Sequence, residues 1–260
     1  MKILILGAGN MGSFFVESLC LEHDVAVFDM DKKRLRYFFQ TRRFVNFEQI
    51  EAFQPDMLIN CVSLQHTVKA FDEVLPWLPE HCLLSDITSV KTGLPEYYKK
   101  TGRPFVSTHP MFGPTFANLK ELSTQSAIII QESDEKGKSF FRDFYGSLKL
   151  QLHEYTFDQH DQTTAYSLSI PFTSTLVFAA CMKPQEAPGT TFRKHMNITK
   201  GLMSENDYLL SEILLNPYSL PQLENIEKAL AHLKEMIKAK DEKSLHAYFR
   251  KIRENLEETS

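Results

Sequence analysis

Through the first half of the chain, short apolar runs alternate with longer stretches of mixed character. The runs fall at residues 3–6, 25–28, 57–61, 82–86, 105–107 and 127–130, and the first is followed by an apolar-periodic stretch at 11–21. Apolar runs without polar alternation read as strands covered on both faces, and the intervening helices supply that cover. The pattern predicts an α/β fold with a doubly wound, largely parallel sheet over residues 1–155.

From about Thr156 onward the strand-like runs thin out. Ile226, Leu230, Leu233, Met236 and Ile237 recur mainly at three- and four-residue intervals, as do Leu245, Tyr248, Phe249, Ile252 and Leu256. Each set lines one helix face, so residues 156–260 are predicted as an all-α domain. Residues 182–189, with Pro184, Pro188 and Gly189, read as a loop between helices, and Gly201 as an interruption nearby. A domain of roughly 100 residues has limited core of its own. Its wide apolar stripes therefore predict burial against a second copy, giving a homodimer.

Composition narrows the class. A length of 260 residues with 43% hydrophobic content supports two cores in a soluble globular protein. The formal net charge of -4, without a clustered basic stretch, argues against a nucleic-acid partner. The N-terminal apolar run is too short for a secretion signal and is needed as a strand. No run approaches the roughly 18 apolar residues of a membrane span, so the expected location is cytoplasmic, with no membrane partner. Cys20, Cys61, Cys82 and Cys181 are scattered, which predicts buried small side chains and no metal site.

Gly7-x-Gly9-x-x-Gly12 stands between the first strand and the first helix. In that context Gly7 permits the tight turn, Gly9 lets a pyrophosphate approach the backbone, and Gly12 lets helix and strand pack closely. Asn10 and Met11 open the helix whose N-terminus faces the phosphates. Asp29 ends the second run at the spacing where an acid contacts the adenosine ribose. The N-terminal domain is thus read as a Rossmann-type dinucleotide site. Asp29 favours NAD over NADP, although Lys32, Lys33 and Arg34 follow it and an arginine there can hold a 2′-phosphate. Ser63 closes the run at 57–62 and is either a further cofactor contact or an ordinary loop serine.

Two more segments stand at predicted strand ends, where open α/β sheets bind ligands. One is Ser85-Asp86-Ile87-Thr88-Ser89-Val90-Lys91, whose hydroxyls either line the site or cap a helix. The other is Thr108-His109-Pro110-Met111-Phe112-Gly113-Pro114. A histidine beside a dinucleotide cradle suits removal of a hydroxyl proton during hydride transfer, because its pKa lies near neutrality.

At these residues the chain resembles the prephenate dehydrogenase family of tyrosine biosynthesis. The Gly7–Gly12 fingerprint, Asp86-x-x-Ser89-Val90-Lys91, the His109–Pro114 segment and His160-Asp161 occur in the family's order. The resemblance implies a nucleotide domain followed by a helical dimerisation domain. It also implies NAD-dependent oxidative decarboxylation of prephenate to 4-hydroxyphenylpyruvate. His109 is matched to the base for the ring hydroxyl, Ser89 to the serine that hydrogen-bonds near it, and His160 to a residue lining the cleft.

The chain also departs from the family. A widespread family arginine falls on Asn197 or Gly201, which leaves Arg193, Lys194 and Lys200 as cations for the substrate carboxylates, with Arg193 and Lys200 preferred. Ser169 and Phe172 stand where histidines commonly flank a Leu-Pro pair. No appended regulatory or mutase domain is expected. Three other readings stand beside prephenate oxidation: arogenate oxidation, another two-domain nicotinamide-dependent dehydrogenase or reductase, and a dinucleotide sensor without catalysis.

Overall fold

The computed structural model describes residues 1–112, 122–205 and 207–258, so Gly113 and Pro114 of the histidine segment lie outside the described residues. The chain divides into two compact units, Met1–Thr164 and Ala165–Ser260.

Among the described residues, the first unit is built on eight strands: β1 (Lys2–Leu6), β2 (Asp24–Phe28), β3 (Arg42–Phe44), β4 (Met57–Asn60), β5 (Leu83–Asp86), β6 (Phe105–Pro110), β7 (Ser126–Ile130) and β8 (Gln151–Tyr155). They lie in the order β3-β2-β1-β4-β5-β6-β7-β8. All neighbours run parallel except β6 and β7. This is the doubly wound sheet that the alternation predicted.

Alternate residues point to opposite faces, and both faces are covered. Ile3, Ile5, Val25, Val27 and Ile59 pack with Phe15 and Leu19 of α1 (Asn10–Leu19). Leu4, Leu6, Ala26 and Leu58 pack on the other side with Ile50 of α2 (Phe47–Phe53), Phe71 of α3 (Thr67–Val74) and Tyr97 and Tyr98 of α4 (Leu94–Thr101). Phe141, Phe144 and Tyr145 of α5 (Glu135–Ser147) join the first layer. A Cβ on Gly137 would lie 2.6 Å from that of Val106, so α5 sits directly on β6 only because that position is glycine. Burial on both faces is why the sequence shows unbroken apolar runs. The two strands it did not reveal, β3 and β8, are Arg-Arg-Phe and a largely exposed Gln-Leu-His-Glu-Tyr at the sheet's two edges.

α6 (Phe157–Thr164) ends the first unit. The division therefore falls after this helix, whereas the thinning of strand-like runs had suggested residue 155. The second unit holds a π-helical turn (Ala165–Ser169), then α7 (Ile170–Cys181), α8 (Thr190–Leu202), α9 (Asp207–Leu214), α10 (Ser219–Ala239) and α11 (Glu242–Glu258). Residues 182–189 form the predicted loop. Gly201 lies inside the last turn of α8 and does not interrupt it. The expected helix faces are only partly covered within the chain. Met236 is buried, whereas Leu230, Ile237, Phe249, Ile252 and Leu256 are exposed, and α7 buries no side chain.

The helical run Phe157–Cys181 is long and apolar enough, by length and composition alone, to cross a membrane. This corrects the expectation that no run approaches a span. That expectation counted uninterrupted apolar residues, whereas alanine, serine and threonine are mild enough to pass on the average. A helix that packs its apolar side against protein passes the same test.

Candidate active site

Gly7 begins the cradle, at the carboxyl end of β1. Its φ of +98° lies in the left-handed region that only glycine adopts cheaply, and its N–H donates to the Phe28 carbonyl at 2.8 Å. A Cβ on Gly12 would stand 1.9 Å from the Gly7 carbonyl oxygen, so α1 abuts the turn through a bare backbone. A Cβ on Gly9, in contrast, would meet nothing. The space above Gly9 is open to a phosphate, and α1 starts there with no side-chain cap and no acidic residue in its first turn. Its free N–H groups and positive end suit an anion.

Asp29 braces this loop. One carboxylate oxygen accepts from Ala8 N at 2.7 Å and the other from Asp31 N at 2.8 Å. A cleft of about 650 Å³ opens beside it, lined by Gly7, Gly9, Asp29, Arg34, Ser63 and Lys69 among others. These residues fit a dinucleotide: a glycine turn for the pyrophosphate, an acid at the ribose end and an apolar wall. Of the three basic residues after Asp29, Arg34 lines the cleft, 3.8 Å from Asp31. Asn10 is exposed, and Met11 packs partly against the core. An alanine at Gly12 is expected to lower stability by about 1–3 kcal/mol through the clash with backbone. NAD affinity should weaken with it, as read by thermal unfolding and a fluorescence titration.

Three strands away, β6 carries His109 along the same edge of the sheet, about 14 Å from β1 at the usual strand spacing. Its pairing with β5 ends at Ser107, so Thr108, His109 and Pro110 project beyond the end of β5. His109 is 7% exposed, and its Nδ1 lies 2.9 Å from Nε2 of His160 on α6. Nδ1 of His160 lies 2.9 Å from Asp161 Oδ1. His160 is therefore buried with both ring nitrogens engaged, standing behind His109 rather than lining a cleft. Burial, His160 and Lys91 together push the His109 imidazole well below its ordinary pKa. His160 is also lowered, chiefly by burial, with Asp161 opposing.

Beneath this edge lies a network that sequence reasoning missed. Lys91 Nζ donates to Asp86 Oδ1 at 2.6 Å and to the Thr108 carbonyl at 2.7 Å, and both charged side chains are fully buried. Tyr98 donates to Asp86 Oδ2 at 2.7 Å, and the Thr88 hydroxyl to Oδ1 at 2.9 Å. Burial alone would raise the Asp86 carboxyl, but Lys91 and the donated hydrogen bonds outweigh it and hold it below its ordinary value. Lys91 thus ties the loop bearing half-buried Ser89 to the residue before His109. The motif spacing held the only signal, with Lys91 five positions after Asp86.

Arg193 and Lys200 lie in the second unit, seven residues apart on α8 and hence on one stripe, with Asn197 between them; all three are exposed. Ser169 is buried and hydrogen-bonded to Ser219 at 2.6 Å, so its hydroxyl is used inside the helical unit.

Residues 21–149 match the family model of the prephenate dehydrogenase nucleotide-binding domain. The chain is 26% identical over 213 residues to a probable arogenate/prephenate dehydrogenase of Methanocaldococcus jannaschii, covering 76% of this chain and 47% of the relative. It is 22% identical over 228 residues to the T-protein of Enterobacter agglomerans, covering 84% of this chain and 57% of the relative. The chain thus spans about half the length of the curated relatives it matches. Among solved structures, it resembles Aquifex aeolicus prephenate dehydrogenase in complex with hydroxyphenyl propionate and NAD+, with a TM-score of 0.85, 18% identity and coverage of 100% and 98% of the two chains. Synechocystis arogenate dehydrogenase has a TM-score of 0.80 at 16% identity, with all of both chains covered. These two likenesses concern the fold. The matched nucleotide-binding domain, together with the curated relatives, supports the prephenate dehydrogenase family for this chain.

Proposed function

We propose that the protein is an NAD-dependent prephenate dehydrogenase that oxidatively decarboxylates prephenate to 4-hydroxyphenylpyruvate, with His109 as the base. The observation that carries this reading is a buried imidazole at the carboxyl edge of the sheet, on the same edge as the glycine cradle. A bound nicotinamide would supply the acceptor for the hydride leaving the hydroxyl-bearing ring carbon. His109 takes the hydroxyl proton at Nε2, and Ser89 hydrogen-bonds the same oxygen. Loss of the ring carboxylate as carbon dioxide then aromatises the product.

Asp29 supports NAD over NADP, because a 2′-phosphate would face a carboxylate already holding two backbone amides. Gly7, Gly9, Gly12 and the opening turn of α1 at Asn10 and Met11 would hold the pyrophosphate, with Ser63 lining the same cleft. The carboxylates of prephenate need cations, and Arg193 and Lys200, exposed on one stripe of α8, are the cations proposed for them. The uncovered apolar positions of α7, α10 and α11 support a homodimer, and the family's biosynthetic role supports a cytoplasmic enzyme. Arogenate is the second substrate to test, since the Methanocaldococcus jannaschii relative is named for both.

The test follows reduced-nicotinamide absorbance with prephenate and arogenate, each with NAD and NADP. Prephenate with NAD should give the highest kcat/KM, and Arg193→Ala with Lys200→Ala should raise KM more than it lowers kcat. Turnover of arogenate alone would replace the substrate assignment. No turnover with either, despite NAD binding, would sink the reading.

A further inference from the structure

The hydrogen bonds joining His109, His160 and Asp161 admit one arrangement of protons when both rings are neutral. The Asp161 carboxylate accepts, so His160 donates from Nδ1. Nε2 of a neutral His160 is then proton-free, and it lies 2.9 Å from His109 Nδ1. His109 must donate there, which leaves its own Nε2 without a proton. The charged group acting directly on His109 is Lys91, from the loop after β5, while Asp161 of α6 and Asp86 at the end of β5 act on His160. Burial and Lys91 both favour neutral rings.

We infer that Asp161 and His160 are positioning residues that lock His109 in the Nδ1–H tautomer and so present Nε2 to the substrate as the base; this rests on the dehydrogenase reading above. As the hydroxyl O–H breaks, an N–H bond forms at His109 Nε2 and the ring becomes imidazolium. The positive charge is stabilised through His160 by the Asp161 carboxylate. Release of the Nε2 proton to water after product departure restores the starting tautomer. The dyad thus sets both which nitrogen reacts and how well the charge that develops is tolerated. Ordinary packing would require neither the carboxylate nor this order of donors.

Asp161→Asn separates the two roles, because asparagine keeps the shape but brings an N–H. That N–H can donate to His160 Nδ1, which turns His160 Nε2 into a donor and moves the His109 proton onto Nε2, where it blocks the base. The variant is expected to lose roughly 10²–10⁴-fold in kcat, with KM for prephenate nearly unchanged. The loss should be at least as large as for Asp161→Ala, although asparagine is the closer isostere. Nitrogen NMR of histidine-labelled protein, with His109 assigned through His109→Asn, should show Nδ1–H in the wild type and Nε2–H in Asp161→Asn. A purely structural role predicts the reverse ranking, with asparagine mild and alanine severe, and no change of tautomer; either result overturns the inference. A wild-type His109 found as Nε2–H does so as well. If the wild type oxidises neither prephenate nor arogenate, the function fails, while the spectra still decide the tautomer.

Discussion

Replacing His109 by asparagine is expected to lower kcat by roughly 10²–10⁴-fold while leaving NAD affinity near that of the wild type. The imidazole is the only group we assign to the hydroxyl proton, and it stands about three strand spacings, roughly 14 Å, from the glycine cradle. Stopped-flow formation of reduced nicotinamide and an NAD fluorescence titration would separate the two effects. Unimpaired turnover would make His109 a packing residue and assign the hydroxyl proton to another group. The pH profile carries a second check. Burial, His160 and Lys91 keep His109 neutral below its ordinary pKa, so the acid limb of kcat should fall below about pH 6.5. The sign for stability follows from the same direction. The unfolded chain protonates both histidines as the pH drops through about 6.5 and the folded chain resists, so stability is lost toward acid. The loss approaches ~1.4 kcal/mol per pH unit for each histidine. Denaturant unfolding at pH 7 and pH 5 should show this slope, and His109→Asn should reduce it.

Lys91→Met is expected to destabilise the protein by about 3–5 kcal/mol, because it strands Asp86 as a buried charge. Nζ gives its two short hydrogen bonds to Asp86 Oδ1 and the Thr108 carbonyl, and both charged side chains are fully buried. Methionine fills similar volume but leaves both acceptors short of a donor. The added Asp86→Asn change should recover part of the loss, since it removes the charge while keeping an acceptor for Tyr98 and Thr88. Chemical denaturation of the two single variants and the double would measure the coupling. Effects within about 0.5 kcal/mol, as at ordinary surface positions, would mean that water reaches the pair.

The sheet was legible because its signals are local. Six strands announce themselves as apolar runs, since burial on both faces demands an unbroken run whatever the rest of the chain does. β3 and β8 did not, because an edge strand with exposed positions has no such demand. The glycine cradle was legible for a related reason: the left-handed Gly7 and the close approach at Gly12 are backbone requirements within one turn. The domain division was less so, because α6 carries the polar pattern of a helix and nothing in that pattern says which unit it joins.

The sequence by itself determined the doubly wound sheet, the helical second half, the dinucleotide cradle and the presence of a histidine at a strand end, since periodicity and short spacings dictate all of these. Tertiary structure alone decided what that histidine meets. His109 and His160 are separated by 51 residues and Lys91 and Thr108 by 17, so no local pattern pairs them. Only the docking of α6 beside β6 and the burial of the loop after β5 bring them within hydrogen-bond distance. There, the exclusion of water gives each proton position its chemical consequence.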